Sequence, residues 1–250
     1  MTREQPGSPT AFESLVEDYD AARPGYPAAL YAQLPPLAGL DLLELGAGTG
    51  KATAGLLDGA RSVVCTDLGP RMLGRLHARH PGTPAAVARA EALPFRDASF
   101  DGVCGAQMWH WLDAAAAAAE AWRVLRPGGW LALWWNEVDA DGLAWWDAQQ
   151  DRLEAGNPRY HRGYRERDYG AELEATGLFG PVATWSGQWS RQLDLAMYER
   201  WLRSKSYVQE LPDVEEFVAT ERASLAAVFP DGLVTEPFAI RLWLAHRVGR

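Results

Sequence analysis

The stretch from Asp41 to Lys51, DLLELGAGTGK, decides the fold of this chain. Its opening residues are mostly apolar and are typical of a buried strand, whereas the next five residues include Gly46, Gly48 and Gly50. Each glycine raises the entropic cost of folding, so their concentration at the end of a strand needs a structural reason. The pattern predicts a backbone that turns sharply here and approaches another group closely.

The sequence predicts alternating strands and helices from about residue 40 to residue 138. Strands that alternate with helices of this length are typical of βαβ units and a parallel sheet. The nearly continuous apolar strands agree, because a parallel sheet is covered on both faces. The predicted strands are 40–46, 62–67, 84–89, a segment within 99–111, and 130–138; the predicted helices are 51–59, 69–80 and 113–125.

The C-terminal half has a different rhythm. Helices are predicted at 144–156, 169–180, 194–206 and 213–229, and strands at 181–190 and 236–248. Because no Ser/Gly-rich linker and no internal repeat separates the halves, we interpret residues 1–250 as one α/β domain. Its expected parts are an N-terminal arm with helices at 1–39, a ligand-binding core at 40–137, and a C-terminal half at 138–250 with a helical cap inserted at about 194–229.

Composition excludes several classes of protein. The chain is 48% hydrophobic and 23% charged, which is ordinary for a globular protein, and its net charge of −9 disfavours a nucleic-acid partner. No apolar run is long enough to span a membrane and the N-terminus lacks an apolar signal core, so we expect a cytoplasmic protein. Cys65 and Cys104 lie in apolar runs and are interpreted as buried residues rather than a disulfide. His77 and His80 have no third ligand nearby and are interpreted as part of a solvated helix face, so no metal is expected.

The spacing of the glycines narrows the choice of ligand. A glycine-rich turn between a strand and a helix lets a nucleotide-like ligand approach the backbone. The dinucleotide pattern is G-x-G-x-x-G/A, whereas this chain has G-x-G-x-G followed by Lys51, and Glu44 before the turn suits a positively charged ligand. Asp67 ends the second strand, where an acid accepts hydrogen bonds from ribose hydroxyls. The alternatives are a helix N-cap for Asp67 and a purely structural turn.

Several motifs together resemble the class I S-adenosylmethionine-dependent methyltransferases that act on small molecules, in the methyltransferase type 11 branch. LLELGAGTGK is similar to the first motif of that family and VVCTDLGPRML to the second. ARAEALPFRDASFDGVCGAQMWHW resembles the third and fourth motifs, and EAWRVLRPGGWLAL the stretch through the fifth strand. The resemblance covers about residues 40–135. It implies a Rossmann-like, mostly parallel sheet of seven strands with an antiparallel last strand, helices on both faces and a helical cap.

The same resemblance implies S-adenosyl-L-methionine as the cofactor and S-adenosyl-L-homocysteine as its product. Glu44 would hold the methionine part, through its amino group or through the turn, and Gln107 would face it. Asp67 would bind the ribose, and Leu68 would pack beside the adenine. Glu91 would lie near the exocyclic amine of the adenine, with a surface acid as the alternative interpretation. The other cofactor-binding residues that the resemblance implies form the turn or lie at the adenine edge: Gly46, Ala47, Gly48, Gly50 and Ala90.

An N-terminal segment, YDAARPGYP at residues 19–27, resembles one that the same branch lays over the cofactor. Its prolines restrain the residues before them, so an extended segment is expected. Tyr19 and Arg23 are candidates for contact with the cofactor and Tyr26 for contact with the acceptor; Arg23 could pair with a carboxylate. An arm that only packs on the domain is the alternative.

The segment after the fourth strand, QMWHWLD, is predicted to lie at the carboxyl edge of the sheet, where open α/β folds bind ligands. His110 in this segment could act as a general base near neutral pH. Trp109, Trp111 and Trp135 could form apolar or cation–π walls of an acceptor pocket, although packing is the alternative role for the His-Trp pair. Aromatic residues that could shape the pocket from the C-terminal half are Trp145, Trp146, Tyr164, Trp201 and Tyr207.

We therefore expect a methyltransferase of secondary metabolism that acts on a small molecule, as a monomer or homodimer without a nucleic-acid or membrane partner. Oxygen is the first expected acceptor atom, followed by nitrogen or carbon. Two alternatives remain open, because a fold does not determine a function. One is an enzyme that binds the cofactor but catalyses cyclisation, elimination or rearrangement, and the other is a non-catalytic module that binds S-adenosylmethionine.

Overall fold

A computed structural model describes residues 20–162 and 168–249. Tyr19 and Tyr164, which the sequence analysis assigns to the cofactor and acceptor sites, lie outside the described residues. The chain divides into two compact units. The sheet unit comprises the described residues of Gly25–Asn136, Asp168–Gly187 and Ile240–Arg250, and the helical unit comprises those of Met1–Pro24, Glu137–Arg167 and Gln188–Ala239. The interpretation of residues 1–250 as one domain stays a prediction.

The strands of the described residues build one seven-stranded sheet. They are β1 (Asp41–Leu45), β2 (Ser62–Asp67), β3 (Ala85–Val87), β4 (Phe100–Ala106), β5 (Leu125–Val138), β6 (Ala183–Asp194) and β7 (Leu233–His246). Their order across the sheet is β3-β2-β1-β4-β5-β7-β6, and only the last strand is antiparallel. The predicted Rossmann-like α/β fold is therefore confirmed.

The helices of the described residues match the predicted ones in place but differ at their ends. They are α1 (Ala28–Tyr31), α2 (Thr53–Leu57), α3 (Pro70–Arg79), α4 (Ala114–Val124), α5 (Ala144–Gly156), α6 (Tyr169–Ala175), α7 (Leu195–Arg203), α8 (Ser206–Gln209) and α9 (Val214–Val228). The prediction that α2 begins at Lys51 is wrong, because Lys51 and Ala52 still belong to the turn that follows Gly50. The short helix α8 and a 3-10 turn at Trp109–Trp111 were not predicted, whereas α1 lies within the N-terminal arm and helices predicted at 1–39. No described helix combines the length and apolarity that crossing a bilayer requires.

The register of the central strands brings three loops to one edge of the sheet. Leu45, the last residue of β1, pairs with Thr66 of β2 and with Gly105 of β4, and all three strands are parallel. Their carboxyl ends therefore lie side by side, which is where open parallel sheets bind ligands. Four successive residues of β1, Leu42 to Leu45, are buried, so both faces of this strand are covered.

The helical unit has a core of its own that contains many aromatic residues. Trp146, Trp201 and Tyr207, which the sequence analysis considers for an acceptor pocket, are all buried within it. The ring of Trp145 packs edge-on against Phe229, with centroids 5.8 Å apart. These four aromatic residues therefore contribute to packing inside the helical unit. The chain segment that carries α7, α8 and α9 runs between β6 and β7.

Candidate active site

The glycine turn links β1 to α2. Gly46, Gly48 and Gly50 have φ angles of +59°, +55° and +82°, in the left-handed region that favours glycine. A Cβ on Gly46 would lie 2.8 Å from the Cβ of Met108, and one on Gly50 would lie 2.8 Å from the Cδ2 of His80. A Cβ on Gly48 would have no heavy atom within 4 Å beyond its chain neighbours. Gly46 and Gly50 are thus required by internal packing, whereas Gly48 presents bare backbone beside open space, as a closely approaching ligand needs.

The C-terminal end of α3 supports the outer side of this turn. His80, the C-cap residue of α3, places its Nε2 2.9 Å from the carbonyl oxygen of Gly50. The Arg79 guanidinium donates to the carbonyl oxygen of Thr49 over 3.2 Å. Because a carbonyl oxygen only accepts, the His80 contact is a hydrogen bond when Nε2 carries the proton. The interpretation of His80 as part of a solvated helix face is therefore wrong, since its ring is half-buried against the turn.

Glu44, the residue before the last one of β1, is a buried carboxylate without a cationic partner among the described residues. The Thr53 hydroxyl donates to its Oε2 over 2.6 Å, and the Cys65 thiol donates to the same oxygen over 3.7 Å. Burial raises the pKa of Glu44 to about 7, although both hydrogen bonds oppose the rise. An acid with this pKa becomes more fully ionised when a positive charge is placed beside it. Cys65 and Cys104 are themselves buried and not in a disulfide, as predicted.

Asp67, the last residue of β2, connects two loops at the carboxyl edge of the sheet. Its Oδ2 accepts a hydrogen bond from the N–H of Gly48 and its Oδ1 accepts one from the N–H of Gly69, both over 2.8 Å. The N-cap residue of α3 is Gly69, so Asp67 does not fill the alternative role of N-cap. Because a carboxylate has about four acceptor positions, two loop N–H groups do not by themselves saturate it.

The predicted adenine-binding residues differ in their surroundings. Leu68 follows Asp67 and is 39% exposed, which makes it an accessible apolar surface next to the carboxylate. Ala90 is buried. Glu91 accepts a hydrogen bond from the N–H of Asp113 over 3.3 Å, and its carboxylate lies 3.5 Å from Arg89. Glu91 therefore stabilises the loop before α4, and its contact with adenine stays a prediction.

Gln107, the first residue after β4, has an unusual backbone conformation. Its φ is +56°, a left-handed value that costs a residue other than glycine about 1–2 kcal/mol. Its N–H donates to the carbonyl oxygen of Trp134 over 3.0 Å, and its side-chain Nε2 donates to that of Asn136 over 2.9 Å. Two hydrogen bonds to β5 thus hold a strained residue at the sheet edge, a combination that is common at functional sites.

His110 lies in the 3-10 turn Trp109–Trp111, which follows β4. The His110 ring lies 4.7 Å from the Trp111 ring and 6.0 Å from the Trp135 ring, measured between centroids. Trp135 stacks on Tyr169 with centroids 3.9 Å apart. Trp109 is fully buried in the apolar core, so we leave it out of the candidate acceptor wall.

The remaining predicted contacts fall in both units. Tyr26 belongs to the sheet unit, where its ring packs edge-on against Trp134 with centroids 6.0 Å apart. Arg23 belongs to the helical unit and donates to the carbonyl oxygen of Ser204 over 3.0 Å. Tyr207 also belongs to the helical unit. The assignments of Arg23 and Tyr207 to the cofactor and acceptor stay predictions.

The residues at the carboxyl edge fit the cofactor that the motifs imply. Bare backbone at Gly48 lies directly beside the Asp67 carboxylate, with exposed Leu68 next to it and the buried acid Glu44 on the neighbouring strand. This arrangement suits a ligand with a sugar, a flat aromatic group and a positive charge. Among the residues that the structure describes, no group of three or more His, Cys, Asp or Glu side chains is placed to hold a metal ion.

Comparison with known proteins identifies the family. The model of the family described as "Methyltransferase domain" matches residues 43–133. An uncharacterised methyltransferase-like protein of Schizosaccharomyces pombe is 32% identical over 225 residues, which are 88% of this chain and 87% of the relative. An uncharacterised methyltransferase of Mycobacterium tuberculosis is 46% identical over 135 residues, which are 54% of this chain and 55% of the relative. The match with the mycobacterial protein thus spans about half of its length.

Solved structures agree with this result. A structure from Anaeromyxobacter dehalogenans, provisionally described as a type II methyltransferase, is 28% identical, has a TM-score of 0.62 and covers 91% of this chain and 97% of its own. A phosphoethanolamine N-methyltransferase of Haemonchus contortus in complex with S-adenosylmethionine is 17% identical with a TM-score of 0.57, covering 96% of this chain and 58% of its own, and supports the fold alone. The chain belongs to the class I S-adenosylmethionine-dependent methyltransferases.

Proposed function

We propose that this chain transfers the methyl group of S-adenosylmethionine to a small-molecule acceptor, with oxygen as the acceptor atom. The observation that carries the proposal is the pairing of bare backbone at Gly48 with the Asp67 carboxylate, which accepts the N–H of that same glycine. The net charge of −9 supports a small acceptor rather than a nucleic acid. A cytoplasmic location and a role in secondary metabolism are part of the same proposal.

The residues of the carboxyl edge divide the binding task in this proposal. Asp67 accepts hydrogen bonds from the ribose hydroxyls, and Leu68 covers one face of the adenine. Glu44 stabilises the positively charged methionine end, because ionisation of a carboxylate with a pKa of about 7 becomes favourable beside a cation. The proposal also assigns Gln107 to the methionine end, and the two hydrogen bonds that hold Gln107 to β5 support this assignment by fixing its position at the sheet edge.

Methyl transfer requires alignment and exclusion of water more than it requires a strong catalyst. When bound, the cofactor supplies a methyl group already activated by a sulfonium, so the chain has to align the acceptor with it. In this proposal the half-buried ring of Trp111, next to the His110 ring, forms an apolar wall for the acceptor, and Trp135, which is only 5% exposed, supports His110 from the core. His110 accepts the proton of an acceptor hydroxyl as the new bond forms.

The role of His110 is tested by the variant His110→Gln. Loss of a general base should lower kcat by about 10²–10⁴-fold while the affinity for S-adenosylhomocysteine changes by less than about twofold. Steady-state kinetics with an acceptor and calorimetry with S-adenosylhomocysteine measure the two effects. His246→Gln, which changes an exposed histidine at the end of β7, is the control and should match the wild type. A fully active His110→Gln enzyme would remove His110 from the mechanism.

The proposed function itself is tested by incubating the chain with S-adenosylmethionine and panels of phenols, carboxylic acids and amines. Formation of S-adenosylhomocysteine together with a methylated product would support methyl transfer and identify the acceptor atom. Conversion of an acceptor without S-adenosylhomocysteine would instead indicate the non-methylating enzyme on the same scaffold. Cofactor binding without turnover of any acceptor would indicate a binding module.

A further inference from the structure

We infer that Asn136 is a positioning residue that couples an N-terminal strap, Gly25–Tyr31, to Gln107 at the cofactor cleft. The inference rests on the proposed function, because it assigns Asn136 a part in holding that cleft ready for S-adenosylmethionine. All the residues involved belong to the sheet unit. No sequence motif pointed to Asn136.

Asn136 contacts both partners at once. Its side-chain Nδ2 donates to the carbonyl oxygen of Gly25 over 2.9 Å, and its backbone carbonyl oxygen accepts from the Nε2 of Gln107 over 2.9 Å. Asn136 is only 7% exposed, so either hydrogen bond, if broken, would leave a largely buried polar group without compensation from bulk water. One residue of β5 therefore joins the strap to the strained residue that follows β4.

The alternation of β5 explains why the strap lies where it does. Side chains two residues apart on a strand point to the same face, so Trp134 and Asn136 share one face and Trp135 occupies the other. On the first face, the rings of Tyr26 and Tyr31 pack edge-on against Trp134, with centroids 6.0 Å and 6.3 Å from it. The packing of these two rings and the hydrogen bond from Asn136 therefore hold the strap on β5.

The far end of the strap reaches the helix that follows the glycine turn. The Tyr31 hydroxyl donates to the carbonyl oxygen of Ala52 over 2.9 Å. A Cβ on Gly55 of α2 would lie 2.3 Å from the Tyr31 ring, so Gly55 makes room for that ring. The strap therefore connects the α2 side of the glycine turn with the β4–β5 side of the cleft. Loss of the hydrogen bond from Asn136 to Gly25 should therefore make both the glycine turn and the segment at Gln107 more mobile.

The variant Asn136→Asp isolates the bond to the strap. It keeps the size of the side chain and leaves the backbone carbonyl that holds Gln107, but it replaces the donor to Gly25 with a carboxylate oxygen that faces a carbonyl oxygen. Asn157→Asp is the control, because Asn157 is 2% exposed and its Nδ2 donates to the carbonyl oxygen of Tyr207 over 2.9 Å, and to the Glu210 carboxylate over 3.3 Å, in the helical unit. Both variants make the same chemical change at a buried amide.

Two measurements follow, hydrogen exchange of the strap and calorimetry with S-adenosylhomocysteine. Asn136→Asp should speed amide exchange in residues 25–34 by about tenfold and raise the Kd for S-adenosylhomocysteine by about tenfold, as loss of one buried hydrogen bond predicts. Asn157→Asp should leave both unchanged. In the wild type, S-adenosylhomocysteine should slow exchange of the strap, and this protection should shrink in Asn136→Asp. A purely structural role would not change ligand-dependent protection.

The outcomes separate this inference from the proposed function. A wild-type chain that bound no S-adenosylhomocysteine would contradict the proposed function, whereas the exchange of the free protein would still decide whether Asn136 anchors the strap. Normal binding by Asn136→Asp, or changes no larger than those in Asn157→Asp, would overturn the inference. If Asn136→Asp does not fold, Asn136→Ala removes the same donor without adding a charge and is judged by the same two measurements.

Discussion

Glu44 in the sheet unit and Glu236 in the helical unit are both buried carboxylates, 1% and 0% exposed, but they are stabilised in different ways. The Oε2 of Glu236 accepts a hydrogen bond from the Nε of Arg191 over 2.7 Å, and Arg191 also donates to the carbonyl oxygen of Ala22. Among the described residues, Glu44 accepts side-chain hydrogen bonds only from the Thr53 hydroxyl and the Cys65 thiol. The helical unit therefore contains a charge that is already neutralised within the fold.

The difference indicates which acid is structural and which is prepared for a ligand. Burying a carboxylate without a cation is costly, and burial accordingly raises the pKa of Glu44 to about 7. Burial also raises the pKa of Glu236, while the charge of Arg191 opposes that rise. A positively charged cofactor would stabilise the ionised carboxylate of Glu44, as the Arg191 guanidinium stabilises that of Glu236.

The largest expected effect concerns the paired acid. Arg191→Met should lower the free energy of unfolding by about 3–5 kcal/mol, because it removes the cation that is hydrogen-bonded to the buried Glu236 carboxylate. Urea denaturation measures the loss. The double variant Arg191→Met/Glu236→Met should recover most of it, since replacing both partners removes the uncompensated charge. If Arg191→Met were as stable as the wild type, Glu236 would not depend on Arg191, and the contrast drawn between Glu236 and Glu44 would be wrong.

The next largest effect concerns Glu44, whose substitution should raise the free energy of unfolding rather than lower it. The folded-state pKa of Glu44 is raised from 4.5 to about 7, so the folded chain binds this proton more tightly and loses stability as the pH rises through that window. Glu44→Gln should therefore raise the free energy of unfolding by about 3 kcal/mol at pH 8 and change it little at pH 4. It should also weaken the binding of S-adenosylmethionine.

Glu120→Gln is the control for that experiment. Hydrogen bonds from Arg123 hold the pKa of Glu120 below its usual value, so its ionised form stabilises the folded chain at neutral pH. The same Glu-to-Gln change should therefore destabilise the protein at pH 8 at this position. If Glu44→Gln and Glu120→Gln shifted stability in the same direction, the account of Glu44 as an unpaired buried acid would be wrong.

The features that the sequence predicted are those with a local pattern. The βαβ alternation predicted the sheet, and the glycine turn and Asp67 were predicted to serve one nucleotide-like ligand. Asp67 and Gly48 are indeed joined by a hydrogen bond of 2.8 Å. The start of α2 was predicted two residues early, since helix propensity alone does not show that the turn continues through Lys51 and Ala52.

The features that were missed depend on tertiary contacts between residues far apart in the chain. Asn136 and Gly25 are 111 positions apart, and Arg191 and Glu236 are 45 apart. His80 was interpreted from its spacing to His77 on a helix, but its contact is with Gly50, 30 positions away. No periodicity or motif indicates such pairs, because the two residues become neighbours only when the chain has folded.

The proposed cofactor site depends most directly on Asp67, whose carboxylate is proposed to accept hydrogen bonds from the ribose hydroxyls. Calorimetry with S-adenosylhomocysteine should compare the wild type with Asp67→Ala and with Asp168→Ala. Asp168 is a matched control, because its carboxylate also accepts two backbone N–H groups, those of Gly170 and Ala171 at the start of α6. Asp67→Ala should weaken binding by about 1–3 kcal/mol, whereas Asp168→Ala should bind like the wild type. Equal affinity in the wild type and Asp67→Ala, or equal losses in the two variants, would contradict the proposed role of Asp67.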